Sequence, residues 1–460
     1  MNGIFLTAVF IAAMALMILS ISKWKVHPFL AIIGVALLMA IAVGLPLDTI
    51  PTTLGKGFSS IFVSIGLVII FGTIIGQILE KTGAALRLAD TVLKILGPRH
   101  PQLAVMIIGW IVSIPVFCDS GFIIVNPIRR NLSRRTGVSS VSLTVALSAG
   151  LYAAHVLIPP TPGPVAAAGM VGLENNLLSV IGIGAAISVF TLLPTYFFAK
   201  KVGRKVKSAD ENGTGNAPAE TYEQTIDSFG TLPSTAASLL PIIVPIVLMA
   251  AGSIASMSGA GSTFAGTLAT FLGKPVIALI CGTLFALIPL LRTGKASALY
   301  EITQESLKTA GPIIFITAAG SVLGQVIMDA GFVGFIQDNA SVLSAAGIFF
   351  PFAVAAILKT AVGSSTVALT TTAGIMGMFD AGNSIMAALG YTSPLGAALV
   401  VMAIGAGAMT VSHANDSYFW VVTNFGGMTP EDGYRIQTVM SLIMGLSTIT
   451  AVFLLSLILL

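Results

Sequence analysis

Four titratable side chains, Asp119, His155, His413 and Asp416, lie inside stretches of sequence that are otherwise almost wholly apolar. Each sits at a point where helical patterning fails: IPVFCDSGFIIVNP at 114–127, HVLIPPTPGP at 155–164 and AMTVSHANDSYFW at 408–420. A fourth such point, KTAVGSSTVALTTT at 359–372, carries Lys359. An ionised carboxylate at membrane depth costs about 2.5–3.5 kcal/mol even on a lenient scale, so Asp119 and Asp416 are candidates to carry a coupling proton. His155 and His413 follow, because imidazole titrates near physiological pH. A helix cap is the plainer reading of Asp119, and a neutral hydrogen-bonding role is the plainer reading of His413.

The other polar residues at these points suit an anion that also carries hydroxyls. Ser364, Ser365 and Thr366, after Gly363, can cap a half-helix whose free N–H groups favour negative charge. Pro159, Pro160 and Pro162 with Gly163 cannot continue an α-helix, so Thr161, Pro162 and Gly163 fall on unwound backbone. Ser120, Gly121, Asn415 and Ser417 complete the candidate ligand-binding set, and Lys359 adds one formal positive charge. Irregular backbone at membrane depth needs internal partners or a watery cavity. A kink at the prolines, or a small-residue packing face at 359–372, is the competing structural reading.

The elements that position these residues are membrane helices. The chain is 55% hydrophobic and 9% charged, with mean hydropathy +0.98, whereas a soluble domain has about 25% charged residues. Apolar runs near 20 residues recur, the length that spans a bilayer, and the short alternating segments of an outer-membrane barrel are absent. The reading is an all-α polytopic membrane protein. A net charge of +4 gives no reason to expect a nucleic-acid partner. Cys118 and Cys281 are too far apart to suggest a disulfide framework or a metal site.

The run also repeats. GQILEKTG at 76–83 is answered by GQVIMDAG at 324–331, and PFLA at 28–31 by PVIA at 275–278. Threading helices through the apolar runs puts all Lys and Arg except Lys56, Lys274 and Lys359 on one side, the cytoplasmic one by the positive-inside rule. Both termini are then periplasmic, and the first apolar run, followed by Lys23-Trp24-Lys25, is a retained helix. The two copies enter from opposite faces. The expected organisation is an N-terminal repeat over 1–199, a polar cytoplasmic linker over 200–233, and a C-terminal inverted repeat over 234–460. Each repeat has one re-entrant hairpin (about 103–128, with Asp119-Ser120-Gly121 at its tip, and about 347–379). Each also has one broken helix (about 141–171 and about 395–423). Such repeats place a transport site between the halves, at mid-membrane.

HPFLA at 27–31, GQILEKTGAA at 76–85, Asp119-Ser120-Gly121, PPTPGP at 159–164, AVGSSTVA at 361–368 and SHANDSYFW at 412–420 together resemble the gluconate:proton symporter family of bacterial permeases. That family belongs to the ion transporter superfamily. The resemblance runs nearly end to end and implies uptake of a sugar acid with protons through the bacterial inner membrane, by a homodimer that needs no cofactor and is not an enzyme. Relatives handle gluconate, idonate, glycerate, fructuronate or D-serine. Gluconate carriers of the family tend to have Glu, His and Arg where this chain has Asp119, Thr161 and Lys359, which keeps a related aldonate, uronate or hydroxy acid open beside gluconate. A sodium-coupled carboxylate carrier or a sodium/proton antiporter could use the same architecture, since unwound carbonyls also suit Na⁺.

Overall fold

The computed structural model describes residues 3–96, 100–203, 206, 208–209, 227, 229–257, 263–330, 347–413 and 416–460. Asn415, Gly331 and most of the 200–233 linker lie outside the described residues. Every regular element among the described residues is helical.

The first half contains α1 (Gly3–Ser22), α2 (Pro28–Ala42), α3 (Ile50–Ile61), α4 (Leu67–Lys81), α5 (Ala84–Leu96), α6 (Pro101–Val112), α7 (Cys118–Thr136), α8 (Ser140–Leu157), α9 (Pro162–Met170) and α10 (Leu177–Val202). The second contains α11 (Thr235–Met257), α12 (Phe264–Leu272), α13 (Pro275–Arg292), α14 (Leu299–Asp329), α15 (Phe349–Val362), α16 (Ser365–Met376), α17 (Pro394–Met409), α18 (Ser417–Phe425) and α19 (Val439–Leu459). Proline opens α2, α6, α9, α13 and α17, where its fixed φ fits and its missing N–H is not needed. Six helical stretches among the described residues are long and apolar enough to cross a membrane, or seven if α4 and α5, bent by 68°, count as one.

The packing of the two halves is reciprocal. In the first, α6 packs on α8 and α8 on α10; in the second, α15 packs on α17 and α17 on α19. Across the halves, α4 lies on α13 while α14 lies on α2, and α7 touches α18 while α16 touches α9. Helices α10 and α19 meet each other directly, with Thr191 Oγ1 and Thr448 Oγ1 2.6 Å apart. The most apolar 18 residues of Ser140–Met170 are all buried, against about a third of those of Pro430–Leu459, which contains α19. The outer helices therefore turn Leu, Ile and Phe outward, as a lipid solvent allows, and α8–α9 forms the core.

Two boundaries differ from expectation. The first hairpin breaks at residues 113–117, and Asp119, Ser120 and Gly121 lie in the first turn of α7 rather than at the tip. Its second arm also runs on to Thr136 instead of ending near 128. The reason is Arg129, which is fully buried and not at a headgroup surface. Its guanidinium donates to Asn126 Oδ1 at 2.7 Å, to the carbonyl and hydroxyl of Ser140, and to the Phe425 carbonyl at 3.4 Å. A cation placed on the last carbonyl of α18 meets the negative end of that helix.

Close helix approach rests on glycine. On α6, a side chain at Gly109 would sit 2.7 Å from the Leu147 carbonyl, and at Gly150 on α8 it would sit 2.9 Å from the Trp110 nitrogen. Gly407 does the same for α17 against α15. Gly150→Val should force the α6–α8 crossing open at a cost of about 1–3 kcal/mol, read as a lower midpoint of thermal unfolding in detergent. Gly34→Ala, in open space, should leave that midpoint unchanged.

Candidate functional site

Three helix N-termini converge on one cavity of about 400 Å³. The first is α7, whose cap is Phe117 and whose first turn supplies Cys118 and Asp119. The second is α16, capped by the Ser364 hydroxyl, which accepts from Val367 N at 3.3 Å; Ser365 and Thr366 follow. The third is α18, capped by Asp416, whose Oδ1 accepts from Tyr418 N at 3.1 Å; Ser417 follows. Gly363, at φ 84°, makes the left-handed turn that lets α15 end and α16 begin within two residues. Tyr152 and His155 reach in from the last turns of α8, and Pro312, Ile313 and Ile316 of α14 form an apolar wall.

Each N-terminus carries about half a positive charge on its free N–H groups, so the cavity favours an anion before any side chain is counted. The formal charges are then fixed by pairing. Lys359 is fully buried, and its Nζ donates to Asp416 Oδ2 at 2.6 Å and to the Gly363 carbonyl at 2.5 Å. Asp416 Oδ2 also accepts from the Ser412 hydroxyl at 2.6 Å. Burying two charges is repaid only when they are close and their remaining hydrogen bonds are met, and both conditions hold here. Lys359 therefore neutralises Asp416, not a ligand, and Asp416 works as a charged cap with every carboxylate oxygen engaged.

Two groups on the cavity wall are left over. Asp119 Oδ1 and His155 Nδ1 are buried without a hydrogen-bond partner. Ser417 is the hydrogen-bonding neighbour of the Asp119 side chain, and the His155 ring lies against Phe117 at 5.8 Å. Buried polar atoms without partners are rare in native proteins, and both residues belong to the cavity wall.

The sequence candidates divide accordingly. Asp119, His155, Gly363, Ser364, Ser365, Thr366, Asp416 and Ser417 line the cavity. Lys359 lies behind its wall. Ser120 is not part of the cavity lining, and Gly121 packs against Leu151. The Thr161 hydroxyl donates to the Ile158 carbonyl at 2.6 Å, so it closes its own turn. Pro162 opens α9, and Gly163 lets that helix approach Leu369 and Thr366 of α16. His413 is held outside the cavity by the Thr360 carbonyl at 2.9 Å.

Sequence reasoning missed Tyr152, Tyr418, Phe117 and Cys118. The Tyr152 hydroxyl lies 2.7 Å from Ser365 Oγ, and its ring leans on Tyr418 at 5.2 Å. A signal for Tyr152 was present: it precedes His155 by three residues, so both fall on one helix face. Among the described residues no group of three or more His, Cys, Asp or Glu side chains is placed to hold a metal ion.

The GntP family permease profile matches residues 4–458. A gluconate permease of Zymomonas mobilis is 30% identical over 98% of both chains. The inner membrane permease YgbN of Escherichia coli is 30% identical over 97% of both. Among solved structures, the YdaH transporter of Alcanivorax borkumensis superposes with a TM-score of 0.62 over 93% of this chain and 98% of its own, at 15% identity. That structure shares the fold. With the profile spanning nearly the whole sequence, this chain is a member of the GntP family of permeases, a family of transporters rather than enzymes.

Proposed function

We propose that this permease imports gluconate or a closely related sugar acid across the bacterial inner membrane together with protons. The observation that carries the reading is the convergence of three helix N-termini on a cavity where Lys359 and Asp416 already cancel each other. What remains is a positive backbone field, a row of hydroxyls and one carboxyl, Asp119, with a free oxygen. The carboxylate of a sugar acid would take the N–H groups of α16 and α18, with Ser364, Ser365, Thr366 and Ser417 meeting its hydroxyls. A cavity of about 400 Å³ suits a six-carbon acid with some water.

Coupling follows from charge. Two unit charges about 6 Å apart, at an effective dielectric constant near 20, repel by about 3 kcal/mol. An ionised Asp119 therefore opposes the substrate anion, and protonation removes that opposition. Proton and substrate then bind cooperatively, which is what symport requires. The halves are read as oppositely oriented, with both termini periplasmic and the linker cytoplasmic. The hairpins and broken helices, α6–α9 and α15–α18, move together against α2, α4, α13 and α14. The reciprocal packing supports this reading, and helix ends gathered at one cavity suit alternating access.

In proteoliposomes, Asp119→Asn should retain substrate exchange but lose at least tenfold of the accumulation driven by an inward proton gradient. Undiminished uphill uptake by this variant, or accumulation that follows a sodium gradient in the parent, would reject proton coupling through Asp119. Lys359→Met leaves Asp416 charged and unpaired, with an expected loss of about 3–5 kcal/mol. The double variant Lys359→Met/Asp416→Asn should recover much of the lost thermal stability. If the single and double variants melt together, the ion pair does not hold the site.

A further inference from the structure

The breaks between α8 and α9 and between α17 and α18 are held in different ways. At the first, Pro159, Pro160 and Pro162 limit the backbone, and the Thr161 hydroxyl closes its own turn on the Ile158 carbonyl. Between Thr410 and Asp416 there is no proline. That stretch nevertheless holds Val411 at φ 57°, and the other non-glycine residue at positive φ among those described is Lys25. A β-branched side chain is crowded in that region, so the conformation lasts only where the surroundings impose it. Such residues gather at ligand clamps and switch regions.

The start of α19 supplies the constraint. The chain enters that helix through a π-helical turn, Tyr434–Thr438, a form frequent at functional sites. Thr438 Oγ1 donates to the Ser412 carbonyl at 2.6 Å, and Ser441 Oγ accepts from Ser412 N at 2.8 Å. Both backbone groups of the residue after Val411 are therefore met by side chains of one neighbouring segment. Ser441 Oγ in turn donates to the Thr438 carbonyl at 2.9 Å, which ties the two clamping residues together. One turn further along α19, Gly445 leaves room for Thr410, whose hydroxyl a side chain there would strike. Held this way, the Ser412 hydroxyl donates to Asp416 Oδ2 at 2.6 Å, while Asp416 Oδ1 caps α18 through Tyr418 N at 3.1 Å. From Thr438 to the cavity wall at Asp416 the path is two hydrogen bonds through one residue, Ser412.

We infer that Thr438 and Ser441 are positioning residues for substrate binding, which hold Ser412 on Asp416 and so keep the N-terminus of α18 aimed at the cavity. This rests on the reading that the cavity takes the sugar-acid anion. Neither residue is part of the cavity lining, so both act through Ser412 rather than on the cargo. Their effect is on affinity: when the Ser412 backbone is released, its hydroxyl leaves Asp416 and the α18 N–H groups lose their orientation towards the carboxylate. Removing only the Thr438 hydroxyl should therefore act in the same sense as removing the Ser412 hydroxyl itself. The two changes should not add, because they act along one path.

The test measures labelled-gluconate counterflow over a range of concentrations in proteoliposomes, with the thermal midpoint in detergent beside it. Thr438→Val, which loses one hydrogen bond, should raise KM about fivefold with the maximal rate within about twofold of parent. Thr438→Ser, which keeps the hydroxyl, should restore the parent KM. Ser412→Ala should raise KM by a similar factor, and Thr438→Val/Ser412→Ala should stay within about twofold of the larger single effect. A parent-like KM in Thr438→Val, no rescue by Thr438→Ser, or factors that multiply in the double variant overturns the inference and leaves the cavity reading intact. So does a lower midpoint with KM unmoved, the mark of a merely structural role. If Thr438→Val does not fold, Ser441→Ala decides: a raised KM at the parent rate supports the clamp, and any other outcome overturns it. A parent that exchanges neither gluconate nor a related sugar acid sinks the proposed function, and this inference with it.

Discussion

The site depends on the ion pair between Lys359 and Asp416. Helix ends expose backbone groups that need partners, and three helices of this fold begin at one cavity. Lys359 holds the last carbonyls of α15 through Gly363 and holds α18 through its capping carboxylate. Ser412 braces the same oxygen from the unwound strand between α17 and α18. One neutral pair thus fixes the turn between α15 and α16 to the start of α18 and aims two N-termini at the same space. At the far end of α18, Arg129 and Asn126 hold the Phe425 carbonyl, so this short helix is gripped at both ends.

Much of this was legible in the sequence because it is written locally. Proline and glycine at 159–164 and at 363 forbid a continuous helix whatever surrounds them, and the composition dictates lipid as the solvent. What could not be read was partnership across distance. Lys359 looked like a ligand for an anion, yet its partner is Asp416, 57 residues later. Thr161 and Gly163 sit in the most conspicuous motif, but one closes its own turn and the other permits helix contact. Tyr152 hid in an ordinary helical stretch, and its importance appears only when α16 brings Ser365 to its hydroxyl. Arg129, counted with the surface cations, is a core residue.

The architecture is reciprocal and the chemistry is not. The helix pairings of the two halves mirror one another. The ionisable groups differ in kind: Asp119 and His155 come from the first half, the paired Lys359 and Asp416 from the second. The second half's charges cancel and serve as structure. The first half's side chains retain free oxygen and nitrogen atoms, which is where a ligand or a proton has something to gain.

The cancelled pair also sets how the membrane potential acts. With Lys359 and Asp416 neutral together, the proposed symport would move only the charge of Asp119 and the cargo. Empty and deprotonated, the site bears one negative charge; loaded with one monovalent anion and one proton, it bears one again. Voltage hinders one leg by as much as it helps the other, about 2.3 kcal/mol per 100 mV for a full crossing. A carrier working at that one-to-one ratio is blind to voltage over a complete cycle, and its concentrating power is set by the difference in acidity across the bilayer alone.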